Sequence, residues 1–468
     1  MTQMVSMKDY EGFGGFGPAA SQSDVENFSK AIMAGHGTPG EFGGSALRVE
    51  SLEATLRVLT FSQQHVKLWK DIPKLPAYNT SEEYTVQTSY GGEAGVFTRE
   101  GELPQVQDAS YDRRNAMVKY LGTQREVSHV MTLVRPAHGN IIALETQNGA
   151  IWLMERMERA LFFGRSDIVP ESWDGLDFQI SADPIARANN VVDLRGGVLS
   201  ENAVEQATNI IIENYGVPTD FYLAPRALSD IAKQFYPKER IALPAPTNGR
   251  VGLQISEIMT QAGPVALKSD MFLRSGKNNG VKRAPSSSTA VRAPAAPTVT
   301  GADAGATVGS LFAAGDIGTW QYKVTALNRF GESAAASVAG GVALAAAGDG
   351  VLLTITDGGG SDAATGYRIY RSPVGGAVGT EQVITEIPRV GITATTVVTD
   401  INGDLPNTSR AYMFQMNLQS MSFRQLAPML KIPLATLAAS IRWMQLLYGT
   451  PIVYAPRKNV IFKNVADD

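Results

Sequence analysis

Apolar residues recur at helical spacing in a few stretches of the chain and alternate at strand spacing in others. Leu52, Leu56 and Leu59 fall on one helical face ahead of Trp69 and the breaks at Pro73 and Pro76. The longest helical pattern runs over about 141–163, where Leu144, Ile151, Met154 and Leu161 form one stripe. Glu145, Glu155, Arg156 and Arg159 mostly fall off that stripe. Gly149 costs about 1 kcal/mol there, which a helix of this length absorbs. Ser200 is the expected N-cap of another helix, running to about Tyr215 with Gly216 as its stop. An apolar strand is expected at 221–224 and a further helix at 225–235.

Two strand-like segments, 83–90 and 115–121, flank a long polar stretch. The first alternates Tyr84, Val86, Thr88 and Tyr90. A connection as long as 91–114 is unusual inside a compact domain and commonly functional. It holds too little apolar content to pack on its own body. The pattern predicts a long hairpin lying on another molecule.

A composition break, RAPSSSTAVRAPAAP, covers 283–297 and reads as a linker. Beyond it come short strands with glycine-rich turns, to about Ser409. Helix and strand signals then resume, ending in segments at 441–448, 451–454 and 457–465. The fold class expected is α+β, with an all-β module inserted into the body. Residues 1–46 are rich in Gly, Ser and Pro, with one short helical pattern at 24–33, and predict an extended arm held by a neighbour. The weakly charged run 334–356 is broken by Gly340-Gly341 and Gly348-Asp349-Gly350, so it predicts two strands around a turn rather than a membrane helix.

Composition narrows the function. With 468 residues and 44% hydrophobic content, the chain can form two or three domains. Charged residues make up only 18%, which hints at subunit interfaces. The net charge of -4 lacks the basic excess that grips nucleic acid. No cysteine is present, which excludes disulfides, thiolate zinc sites and cysteine nucleophiles. The first residues carry no charged-then-apolar signal pattern.

Motifs for chemistry are weak. Gly12, Gly14 and Gly17 match G-x-G-x-x-G but follow polar residues rather than a strand. Ser275-Gly276-Lys277 lacks the remaining parts of a P-loop. His36, His65, His129 and His138 show no ligand spacing. Glu155 and Glu158, one helical turn apart beside Arg156 and Arg159, predict a solvated or interface face. No catalytic residue, cofactor or metal is assigned.

Local segments carry a resemblance. Trp173-Asp174-Gly175-Leu176 follows the long helix, where relatives carry an aromatic-Asp-Gly-Leu motif. The run LAPMLKIPLATLAASIRWMQLLYGTPIVYAPRKNVIFKNV is similar to the ends of major capsid proteins of large myoviruses. With the order of elements, the chain resembles tailed-phage major capsid proteins of the Hong Kong 97 fold. The segments Thr319–Asn328, Gly331–Ser333 and Gly366–Arg371 resemble a fibronectin type III or immunoglobulin-like sandwich, with Tyr322, Val324 and Ala326 pointing one way.

The resemblance implies an arm at 1–46 and a capsid-fold body at 47–290. Within the body it implies an extended loop at about 83–121, a spine helix at about 141–163 in a peripheral domain, and an axial domain at about 190–290. The insertion spans 291–409 and the body returns at 410–468. It also implies hexamers and pentamers of the chain in an icosahedral virion head, assembled in the host bacterial cytoplasm. A separate scaffolding protein, a portal and room for a decoration protein go with it. Packaged DNA is contained without sequence-specific binding, and no membrane is involved. Arg99, Glu100, Glu102, Arg113 and Arg114 on the hairpin, with Glu155 and Glu158 on the helix, are the expected inter-subunit contacts. The alternatives are a tail or baseplate protein with a fibronectin-like module, or a carbohydrate-active enzyme carrying one.

Overall fold

The computed structural model describes residues 63–92, 95–134, 139–239, 255–273, 283–391, 395–435 and 438–466. The expected arm, its 24–33 helix and the 52–59 stripe lie outside the described residues. The chain divides into two units. The first is 1–58 with 134–140, of which only Val134, Gly139 and Asn140 are described. The elements below belong to the second.

In chain order, α1 (Leu68–Asp71) and β1 (Lys74–Pro76) precede a hairpin of β2 (Ser81–Ser89) and β3 (Ser110–Met117). Then come β4 (Lys119–Ser128), α2 (His129–Leu133) and the long α3 (Ile141–Phe163). The expected strand at 115–121 is two strands, divided at the buried Val118. The chain continues through α4 (Leu176–Ala182), α5 (Pro184–Asn189), β5 (Val191–Asp193), α6 (Glu201–Glu213), β6 (Asp220–Leu223), α7 (Pro225–Glu239), β7 (Glu257–Thr260) and β8 (Gly263–Ser269). An all-β stretch follows: β9 (Thr298–Ala306), β10 (Gly318–Trp320), β11 (Tyr322–Leu327), β12 (Ala336–Ser337), β13 (Val342–Leu344), β14 (Asp349–Thr356), β15 (Gly366–Arg371), β16 (Gln382–Pro388) and β17 (Thr395–Asp400). The return is β18 (Thr408–Phe414), β19 (Met421–Pro433), β20 (Ser440–Val453) and β21 (Val460–Ala466).

Two mixed sheets form the α+β body. One has the order β1-β19-β20-β4, and the other β5-β21-β18-β6-β8-β7. In the first, β19 and β20 run antiparallel, and β20 continues onto β4 from Ser440↔Ser128 to Gly449↔Lys119. The segments expected at 441–448 and 451–454 are thus one long strand. Helix α3 packs beside β4, with Arg125 of the sheet 3.5 Å from Glu145 of the helix.

The buried face of α3 overlaps the expected stripe only at Leu161. Leu153, Met157, Glu158, Leu161 and Phe162 are the enclosed side chains, while Leu144, Ile151 and Met154 are only partly covered. Ile151 and Met154 pack on a small cluster around Val66 and Phe272, and Met154 also touches the main core. Helical spacing locates the helix, but which flank is buried depends on partners distant in sequence.

Local chemistry sets the turns. The hydroxyl of Ser200 accepts from the Ala203 amide at 3.3 Å, capping α6. That helix ends with Tyr215, not Gly216, in the left-handed region (φ 57°). The amide of Gly216 reaches the Ile211 carbonyl at 2.9 Å and that of Tyr215 reaches the Ile212 carbonyl at 2.9 Å, a Schellman closure. After α3, Gly164 and Gly175 touch backbone to backbone. A Cβ on Gly175 would stand 2.6 Å from the Gly164 nitrogen, and the Gly175 amide donates to the Gly164 carbonyl at 2.8 Å. Trp173 anchors this corner through Nε1 to the Ala160 carbonyl at 3.0 Å.

The all-β stretch has a core of its own. Sheets β12-β11-β15-β16 and β17-β14-β9 enclose Tyr322, Val324, Ala326, Leu353, Ile355, Tyr367 and Ile369. The residues at 283–297 are not a free linker. Thr289 donates its amide to the Glu332 carbonyl at 2.9 Å, and Ala335 to the Pro285 carbonyl at 3.0 Å. The module is also fastened to the body. Arg165, beyond α3, donates to the Glu386 carbonyl at 2.6 Å, and Arg329 pairs with Glu171 at 3.1 Å.

Candidate assembly interface

Hairpin β2–β3 pairs from Ser81↔Met117 to Ser89↔Ser110. Strand β2 half-covers Tyr84 and Val86 on one face and exposes Glu83, Thr85 and Gln87 on the other, while β3 is polar and mostly exposed. Near the base, the Tyr84 ring meets Tyr454 edge-on at 5.1 Å. Toward the tip the ladder ends, and apolar side chains stand in solvent. Phe97 is 98% exposed, Leu103 93%, Tyr90 90% and Val106 84%. Large apolar groups gathered on one projecting element mark an interaction surface. Burial of each would contribute roughly 1.5–3 kcal/mol.

The charged residues expected at the contact fall into three groups. Arg99, Glu100 and Glu102 are exposed, on a turn where the Glu102 amide donates to the Arg99 carbonyl at 3.0 Å, and they form no ion pair among the described residues. Arg113 and Arg114 already have partners within the hairpin, Arg113 with Glu83 and Arg114 with Asp112 at 2.8 Å. All of these pairs are substantially exposed and contribute under about 1 kcal/mol. Glu155 is half-buried on α3.

Glu158 corrects the expectation. Its side chain is enclosed within the chain, where it accepts the amides of Lys67, Leu68 and Trp69 at 2.7, 2.6 and 2.9 Å. These are the free N–H groups at the start of α1, so Glu158 serves as a cap supplied from 90 residues away. Burial pushes its carboxyl upward, against the pull of the three amides. Spacing against Arg156 and Arg159 could not reveal a partner so distant in sequence.

A second set of exposed apolar side chains is spread over two parts of the body. Val130 and Leu133 of α2 are 63% and 74% exposed, and Met429, Leu430 and Ile441 of the β19–β20 pair 36–38%. Its trace in the sequence is the apolar content of SHVMTL and APMLKIP, which reads equally well as core.

No known family profile matches the chain. Relatives do. The chain is 26% identical over 474 residues to a provisionally designated major capsid protein of Enterococcus phage phiEF24C, covering 94% of this chain and 95% of that one. It is also 26% identical over 459 residues to the major capsid proteins of Staphylococcus phages S25-3 and K, again over 94% and 95% of the two lengths. Among solved structures it is similar to the capsid of a native GTA particle, at a TM-score of 0.48 and 9% identity over 92% of this chain and 99% of that one. Gordonia phage Cozz gives a TM-score of 0.46 and 10% identity over 91% and 96%. Those two likenesses are too low to carry weight. The sequence matches run nearly end to end and disfavour the tail, baseplate and carbohydrate-active alternatives. The chain is a homologue of bacteriophage major capsid proteins and shares their role as a structural subunit of the virion.

Proposed function

We propose that the chain builds the closed head of a tailed phage by joining copies of itself as hexamers and pentamers, in the Hong Kong 97 manner. The observation that carries this is the hairpin tip, whose Phe97 and Leu103 are almost wholly uncovered by their own body. In this reading β2–β3 is the extended loop laid on a neighbour, α3 the spine helix, and the β1-β19-β20-β4 sheet the peripheral domain. The six-stranded sheet with α6 and α7 is the axial domain. The module of β9–β17 is an immunoglobulin-like insertion facing outward, where it costs no space for DNA.

Heterologous contacts of this kind close into rings and shells. Arg99, Glu100, Glu102 and Glu155 remain available to set register between subunits. Arg113 and Arg114 would have to share the acids they already hold. A scaffolding protein and a portal are separate chains in this reading, DNA is enclosed without sequence-specific contact, and assembly takes place in the host cytoplasm.

The test is co-expression with the phage's scaffolding protein, read by negative-stain microscopy. Closed shells are expected from the natural chain. The doubly substituted F97A/L103A chain should yield folded subunits or capsomers without shells. Normal shells from that variant would overturn the role of the tip, and discrete monomers or trimers from the natural chain would overturn the whole reading.

A further inference from the structure

The start of α1 is held by a group that cannot be considered alone. Lys67 sits at the N-cap position, and its own side chain caps nothing. Glu158 supplies both oxygens instead. Beside it lies Asp270, wholly enclosed, at the end of β8. Its Oδ1 accepts the Phe272 amide at 2.8 Å. Its Oδ2 is buried and meets no donor among the described residues. The Asp270 side chain meets that of Glu158, itself only an acceptor when ionised. Two buried carboxylates in contact cannot both carry charge cheaply. A proton on either one turns the contact into a hydrogen bond.

The other charged groups around the pair do not neutralise it. Lys268 is taken up by Asp71 and Asp220, at 2.9 and 2.5 Å. The Tyr222 hydroxyl donates to Asp71 at 2.9 Å. Lys67 and Lys74 add weaker fields, the first felt by Asp270 and the second facing Asp71 and Glu158. Val66 and Phe272, both buried, wall the site with apolar surface.

We propose that Glu158 and Asp270 share one buried proton and form a pH-sensitive latch, holding the chain at 67–69 against the long helix α3. The latch sets how firmly the start of α1 is fixed to α3. Burial, and next the charge of Glu158, push the Asp270 carboxyl up to about 8, from an ordinary 3.8. The sign follows. The closed latch binds the proton more tightly than an opened, solvated one. Opening therefore becomes easier as pH rises from the ordinary carboxyl range toward about 8, and the effect levels off above that.

The test is hydrogen exchange at the amides of 67–69 in the full chain, from pH 6 to 9, corrected for intrinsic rates. Protection should fall by about ten-fold per pH unit up to the plateau, as expected for one linked proton. D270N keeps an acceptor for Phe272 and a donor for Glu158 without titrating, so its protection should be high and independent of pH. A flat profile in the natural chain, or an unchanged slope in D270N, overturns the latch. Should D270N fail to fold, infrared spectroscopy of the natural chain decides. A carbonyl band of a buried, protonated carboxyl is expected at pH 7, and its absence overturns the proposal.

Discussion

Arg195 reaches from the loop after β5 to the backbone carbonyl of Asn402, at 2.6 Å. Both residues sit in the left-handed region, at φ 50° and 59°, where side chains other than glycine are uncommon. A second arm of the same guanidinium reaches the Leu311 carbonyl at 3.0 Å. One side chain thus ties the body to two loops of the β-module, and two strained backbones meet at the tie.

R195A should loosen that seat without unfolding either part. Charge-assisted hydrogen bonds contribute about 1.5–3 kcal/mol when enclosed, and partial exposure puts this one toward the low end. Limited proteolysis should show faster cutting at 401–407 at an unchanged global melting temperature. Equal cutting rates would mean that Arg165, Arg329 and the packing of Gly366 on Ile168 hold the module without it.

Y215G should raise the melting temperature of the unassembled chain. Tyr215 occupies the position after the α6 cap at φ 57°, with its ring 92% exposed, so little inside the chain compensates its strain. Glycine there should stabilise by about 1 kcal/mol. Calorimetry at equal protein concentration checks this, and a lowered melting temperature would mean that the ring contributes packing.

R371M should cost about 3–5 kcal/mol, because it breaks a buried pair and strands its partner. Arg371 is fully enclosed, donating to Asp400 and Asn402 at 2.7 Å each, with its guanidinium 4.9 Å from the Trp320 ring centre. Adding D400N should recover part of the loss. Denaturant melts of the single and double variants measure the coupling, and additive losses would refute it.

Acid should weaken the seam at Asp404. Burial alone would raise its carboxyl, but Arg410 and Lys463 together outweigh that and hold it below the ordinary 3.8. A depressed acid contributes stability above its unfolded value and loses it as pH falls through the folded one. D404N should therefore flatten the stability profile below about pH 4 and lower stability at neutral pH. An acid limb unchanged in D404N would remove Asp404 from the account.

What the sequence revealed follows interaction range. The α6 cap at Ser200 and the module's alternation at Tyr322, Val324 and Ala326 are local and were legible. The hairpin was legible as an excess of polar chain. The flank that α3 buries was not, because Glu158 turns inward to serve amides at 67–69. The stretch 283–297 reads as a linker by composition, yet its backbone is stitched to Glu332 and Ala335. Hydrogen bonds of the main chain leave no residue-type signature.

The strand order carries a kinetic consequence. Both body sheets take central strands from the last part of the chain, β19 and β20 in one and β18 and β21 in the other. During synthesis, β1, β4, β5 and β6 emerge early and must wait with open edges. The module at 298–400 contains all strands of its own sheets, so it can close while the body around it is still incomplete. Neither body sheet can therefore close before the segment 408–466 has been made, whereas the module between can.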